Sequence, residues 1–131
     1  MEKICVYVED NPDALLLMPL LFPLAGMHLR CFKDSQNFMI RLKTLPTCPS
    51  LFILDIHIPP LDGFELLKLL RAEPEYMVVP VIALTASVMN EEVQQLRQAG
   101  FNGVLAKPVD MQAFPSFVER ILAGERLWRI E

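Results

Sequence analysis

Apolar runs recur along the chain at Ile4–Val8, Met27–Phe32, Leu51–Leu54, Val81–Leu84 and Val104–Ala106. Each has the length of a strand, and most are rich in Val, Ile or Leu. Runs that are apolar at consecutive positions suit strands buried on both faces, the condition of a parallel sheet covered by helices. Helix punctuation fills the intervals. Asn11-Pro12 pairs a capping residue with a first-turn proline, Ser35 precedes Phe38 and Leu42, Asp62 precedes Leu66 and Leu70, and Asn90 precedes Glu91-Glu92. The last helix has the clearest period: Phe114, Phe117, Val118, Ile121 and Leu122 share one face, with Asp110 before and Gly124 after. Strand and helix alternate throughout, which predicts five βα units.

With right-handed crossovers, five such units make an α/β fold: a flavodoxin-like, doubly wound parallel (βα)5 sheet in strand order 2-1-3-4-5. Two features resist the regular pattern. Pro19 and Pro23 lie inside the first helical segment, where each costs ~3 kcal/mol in a regular helix, so a kink or early stop is expected. Pro115 falls just past the first turn of the last helix, where the loss is smaller. The stretch Ala14–Leu29 carries no charge, and Leu15, Leu16, Leu17, Leu20, Leu21, Phe22 and Leu24 run nearly all round it. Two readings stay open: an apolar surface for a partner or for a homodimer, or extra packing beneath the kink.

The length of 131 residues suits one domain. The expected division is a domain over 1–124 and a C-terminal tail over 125–131, too short for an output domain, so output is expected through contact. A hydrophobic fraction of 53% excludes disorder. The net charge of −4 lacks the basic field that phosphate backbones attract, so no direct nucleic-acid partner is expected. The longest uncharged stretches fall short of the ~20 residues of a membrane span and contain proline, so no membrane span is expected. The N-terminus shows no cleavage site, and Cys5, Cys31 and Cys48 lack zinc or redox spacing; a cytoplasmic protein with reduced thiols is expected.

In an open parallel sheet the ligand site lies beyond the carboxyl ends of the strands. Those ends carry Glu9-Asp10, Asp55, Thr85 and Lys107-Pro108. Three crowded carboxylates do not all stay ionised cheaply, whereas a hard dication with oxygen ligands satisfies them, and Mg²⁺ also binds phosphoryl oxygens. Asp10 would serve less well as a helix cap than its neighbour Asn11, which precedes proline. A neutralised carboxylate beside a metal, an ammonium and a hydroxyl is equipped to receive a phosphoryl group. Asp55 is the expected acceptor, because it closes the most apolar strand and precedes the turn Ile58-Pro59-Pro60-Leu61-Asp62-Gly63.

Four ordered motifs, VEDNPD at Val8–Asp13, LFILDIHIPPLDGFELLKLLR at Leu51–Arg71, PVIALTAS at Pro80–Ser87 and AGFNGVLAKPVD at Ala99–Asp110, resemble the CheY-like response-regulator receiver domain. This is the phosphoacceptor module of two-component signalling, and the resemblance spans about Ile4 to Leu122. It implies that Asp55 takes phosphoryl from a sensor histidine kinase or a histidine phosphotransfer protein. It implies that Asp10, the Asp55 carboxylate and the His57 backbone carbonyl ligate Mg²⁺ directly, with Glu9 acting through water. Thr85 and Lys107 then hold the phosphoryl oxygens, and a cis Lys107-Pro108 bond aims the Lys inward. Slow autodephosphorylation is expected rather than multiple turnover, with Ser87 and His57 beside the water's entry, and a downstream protein target reads the two states.

The chain departs from that pattern at Val104, where an aromatic side chain usually reports phosphorylation, so altered output coupling is expected. Ile56 replaces the frequent aromatic after the acceptor, and the single Trp, Trp128, lies in the tail, so indole fluorescence should report Mg²⁺ poorly. A degenerate receiver serving only as an interaction module is the strongest rival. A flavodoxin-type cofactor module is disfavoured because Glu9-Asp10 would repel a phosphate. A hydrolase with an Asp nucleophile is disfavoured because His57 stands where its second Asp would be.

Overall fold

The computed structural model describes residues 3–20 and 26–128. Five parallel strands, β1 (Lys3–Val8), β2 (Met27–Phe32), β3 (Leu51–Asp55), β4 (Val81–Thr85) and β5 (Gly103–Ala106), form one sheet in the order β2-β1-β3-β4-β5. The connecting helices are α1 (Pro12–Leu17), α2 (Phe38–Leu42), α3 (Gly63–Arg71), α4 (Asn90–Ala99) and α5 (Phe114–Leu122). Every residue of β3 and β4 is buried, which explains their unbroken apolar sequences. One face of the sheet packs Phe32, Phe52 and Val104 with Phe38, Leu66, Leu70 and Leu96 from α2, α3 and α4. The other packs Tyr7, Ile53 and Leu84 with Met18 and with Phe114, Val118 and Ile121 of α5. Helices on both faces make the sheet doubly wound, as the alternation predicts. Among the described residues no helix is long and apolar enough to cross a membrane.

Register positions the strand ends. Val8 pairs with Leu54, Asp55 with Leu84, and Thr85 with Ala106, so Glu9-Asp10, Asp55, Thr85 and Lys107 emerge side by side.

Local punctuation agrees with the sequence in two helices and differs in three. The Asn11 side chain caps α1, accepting from the N–H groups of Asp13 (2.8 Å) and Ala14 (3.3 Å). Asp62 and Glu65 cap α3 reciprocally. Ser35 does not cap α2, which follows Asn37 in a left-handed conformation at φ 53°. Its buried hydroxyl instead donates to the Leu61 carbonyl and accepts from the Leu61 N–H, both at 2.7 Å. Met89, not Asn90, stands at the α4 N-cap, without a side-chain bond. Asp110 closes a turn with Gln112 and Ala113, and α5 starts only at Phe114, which leaves Pro115 in the first turn where its missing N–H costs little.

The α1 helix stops early, as its prolines predict: it ends at Leu17 and gives way to a 3-10 turn, Met18–Leu20, that contains Pro19. Leu15 and Met18 turn inward, whereas Leu16 is 74%, Leu17 54% and Leu20 62% exposed. Those three leucines therefore face outward and are not packing beneath a kink. Leu21, Phe22, Pro23 and Leu24 lie outside the described residues.

Beyond α5 the chain turns at Gly124 (φ 101°) and returns to the sheet. Leu127 pairs in parallel with Gly103: the Val104 N–H donates to the Leu127 carbonyl at 3.0 Å, and the Leu127 N–H to the Asn102 carbonyl at 3.2 Å.

Candidate functional site

The three carboxylates expected from the strand ends do converge. Glu9, Asp10 and Asp55 each present an oxygen within 4.8 Å of the others. Lys107 reaches into the same place, its Nζ 2.7 Å from Glu9 Oε1 and 2.9 Å from Asp55 Oδ2. The Lys107-Pro108 peptide bond is cis, as the resemblance implies.

Glu9 is fully buried. Its Oε2 accepts the N–H groups of Asp10 at 3.1 Å and Asn11 at 3.4 Å, and its Oε1 takes the Tyr7 hydroxyl at 3.3 Å. Burial, with the Asp55 carboxyl hydrogen-bonded beside it, pushes Glu9 up to about 7 against the pull of Lys107. Burial works the same way on Asp55, but hydrogen bonds with Glu9, Lys107 and the His57 N–H hold it below the usual carboxylate range. Of the two carboxyls, Glu9 is therefore the one that takes up a proton more readily. Lys107 loses by desolvation but is held protonated by its two carboxylate partners.

Asp55 is oriented from both sides. Its Oδ1 accepts the His57 N–H at 2.9 Å, while Oδ2 faces the Lys107 ammonium. The His57 side chain is exposed. Thr85 is buried at the adjacent strand end, where its hydroxyl donates to the Ser87 carbonyl at 3.2 Å and accepts the Ser87 N–H at 3.1 Å. Its own carbonyl accepts the Lys107 N–H at 2.9 Å, which ties the two strand ends that carry the hydroxyl and the ammonium. A cleft of about 350 Å³ opens beside Glu9 and Lys107, walled by Leu17, Met18, Val109 and Met111.

Three supporting residues escaped the sequence reading. Tyr7 sits in an apolar run, yet a buried phenol needs a partner, and its hydroxyl serves Glu9. Ser35 clamps the loop that follows Asp55, from a position far off in sequence. Gly63 admits the start of α3 close to β3: a Cβ there would lie 3.1 Å from Ile56 Cα and 3.2 Å from the Asp55 carbonyl. Only the Gly in the Asp62-Gly63 turn hinted at this last constraint.

Residues 5–119 match the response regulator receiver domain family. The chain belongs to that family. It is 36% identical over 121 residues to the polar-differentiation response regulator DivK of Brucella anthropi, covering 92% of this chain and 94% of that protein. The chemotaxis response regulator CheY4 of Vibrio cholerae superposes with a TM-score of 0.82 at 21% identity, covering 92% of this chain and 99% of the other. The receiver domain of sensor histidine kinase PA1611 from Pseudomonas aeruginosa, whose structure has a magnesium ion coordinated in the active site cleft, superposes with a TM-score of 0.81 at 24% identity, covering 95% and 100%. Other relatives are far longer, and this receiver spans 12% to 18% of their length.

Proposed function

We propose that this receiver accepts a phosphoryl group on Asp55 from the phosphohistidine of a sensor histidine kinase or histidine phosphotransfer protein, in a cytoplasmic two-component relay. The observation that carries the reading is the setting of Asp55: a buried carboxylate at the end of β3, gripped through one oxygen by the His57 N–H and paired through the other with the Lys107 ammonium. In the step, an Asp55 oxygen bonds to phosphorus as the phosphorus–nitrogen bond breaks, and the imidazole nitrogen keeps the electron pair. Loss of the group reverses the valence: a water oxygen bonds to phosphorus, the acyl phosphate bond breaks, and inorganic phosphate leaves. Slow loss makes the protein a switch, not a multiple-turnover enzyme.

The donor set fits a hard dication, because buried Glu9, exposed Asp10 and Asp55 all offer oxygens to one point. Asp10, Asp55 and the His57 carbonyl would hold Mg²⁺ directly, with Glu9 behind them. When bound, Mg²⁺ supplies screening of the phosphoryl oxygens. Lys107 releases Asp55 Oδ2 and pairs with a phosphoryl oxygen, and Thr85 turns its hydroxyl from Ser87 to another. The exposed Leu16, Leu17 and Leu20 give the phosphodonor an apolar face to dock on beside the cleft.

Intact-mass spectrometry after incubation with acetyl phosphate tests this. The expected result is one added phosphoryl group that requires Mg²⁺ and is lost in Asp55→Asn; an unmodified wild-type chain sinks the reading and favours a non-phosphorylated interaction module. With a phosphohistidine protein as donor, Leu16→Glu with Leu20→Glu should slow transfer while leaving acetyl phosphate labelling intact. Unchanged transfer would remove the docking face from the account, and light scattering would show whether it joins two copies instead.

A further inference from the structure

Position 104 lies on β5, three residues before Lys107, and its Val is fully buried with no ring to reorient. An aromatic ring from elsewhere in the chain packs against the cluster to which Val104 belongs. Trp128 packs against the buried cluster that contains Val104, Leu96 and Phe101, and the Arg97 guanidinium of α4 lies 5.7 Å from its ring centroid. It is placed there by the segment after α5. The Glu125 carboxylate, held by Arg120 at 2.9 Å, starts the segment, and Leu127 then adds a parallel rung to the free edge of β5. Gly103 permits this approach, since a Cβ would come within 3.0 Å of both the Leu127 carbonyl and Ile121 Cδ1. Beside the rung runs a groove of about 760 Å³ between β5, α5 and the tail, with Leu105, Phe114 and Phe117 in its wall and Asp110 and Arg120 at its rim.

We propose that the β5 edge and this groove form a strand-docking surface which the chain occupies with its own Leu127–Trp128. Phosphorylation of Asp55 releases the tail, and a target's extended segment, an aliphatic followed by an aromatic residue, takes its place. The inference rests on the phosphoacceptor reading. The resident tail shows what the surface holds: backbone pairing gives affinity, and the place of Trp128 against the core and Arg97 gives side-chain specificity. Without the tail, β5 would present an open edge, a template for another chain.

The coupling is mechanical. β5 has four residues, with the tail paired at its first and Lys107 following its last. The loop that leads from β4 into α4, the helix that carries Arg97, is held to the Thr85 hydroxyl through Ser87. A phosphoryl group brings a charge of about −1.5 to −2 against Lys107 and the Thr85 hydroxyl, and both must re-aim to meet it. Both supports of the tail are therefore fastened to segments that respond. Among the described residues two backbone hydrogen bonds join the tail to the sheet, so its docking belongs to the low-stability end of the molecule and shifts readily.

The test uses the full chain with Mg²⁺, with and without acetyl phosphate, monitored in parallel by intact mass. Trp128 is the only Trp, so its emission reports the tail alone. Phosphorylation should shift the emission to the red, raise acrylamide quenching about twofold, and speed exchange of the Val104 amide about tenfold. A labelled peptide with the sequence of residues 124–131 should bind the phosphorylated protein at least about tenfold tighter than the unmodified one. In Trp128→Ala, which loosens the resident tail, the peptide should bind without phosphorylation. Full phosphorylation with unchanged emission and exchange overturns this inference and leaves the acceptor role intact, as does peptide binding that ignores the phosphoryl group. Failure to phosphorylate at all overturns both.

Discussion

Lys107 stands between two carboxylates of different character, and that asymmetry governs how the site behaves. Glu9 is fully enclosed, which pushes its carboxyl up to about 7, whereas the bonds Asp55 receives hold its carboxyl below the usual range. In the proposed metal site a proton on Glu9 would compete with the dication, so Mg²⁺ affinity should fall as the pH drops through about 7, measured by calorimetry at fixed ionic strength. Ser35 supports the same site from behind. Ser35→Ala strands the Leu61 N–H, and the carbonyl beside it loses its donor, so a loss of about 1–3 kcal/mol is expected in urea unfolding, with a looser loop after Asp55. Asp55, Asp10 and Lys107 are legible in the sequence because each ends an apolar run. Ser35 and Tyr7 are not, because a hydroxyl's partner across the fold leaves no mark in the local pattern.

The elements are built so that their ends, rather than their middles, carry chemistry. β3 is buried along its whole length and delivers Asp55 at its last residue, after which the chain rises and α3 begins within reach of the same carbonyl. Gly63→Ala forces a Cβ against backbone atoms of Ile56 and Asp55 that have nowhere to go. A loss of about 1–3 kcal/mol is expected in thermal or urea unfolding, together with weaker Mg²⁺ binding. Two of the three helix starts that differ from the sequence expectation do so for one reason. Ser and Asp favour caps, but Ser35 bonds Leu61 across the fold and Asp110 closes its own turn instead. The early end of α1, by contrast, follows from Pro19 alone, since no partner restores a missing N–H.

At the scale of the whole molecule, the proposed metal site would make stability depend on metal and pH together. Glu9 has its folded pKa raised above the ordinary value of 4.5, so the stabilisation it contributes is fully present below that value and is lost as the pH rises through about 7. Asp55, lowered in the fold, contributes stability above its ordinary range that is lost only in acid. Mg²⁺ should therefore raise the melting temperature more at about pH 8 than at about pH 5.5, with about 2.7 kcal/mol gained at a hundredfold excess over Kd. An equal gain at both pH values, followed by scanning calorimetry, would contradict this placement of the proton. The sequence by itself determined the five βα units, their winding and the acidic cluster at the strand ends, because burial on both faces and strand-end chemistry are written in consecutive residues. It marked Val104 as a departure and Trp128 as part of a tail, but nothing in their separation joins them. Only the tertiary structure brought them together, because the turn at Gly124 and the missing Cβ of Gly103 let a distant segment reach the sheet's edge, and such approaches follow from packing in three dimensions, not from any period along the chain.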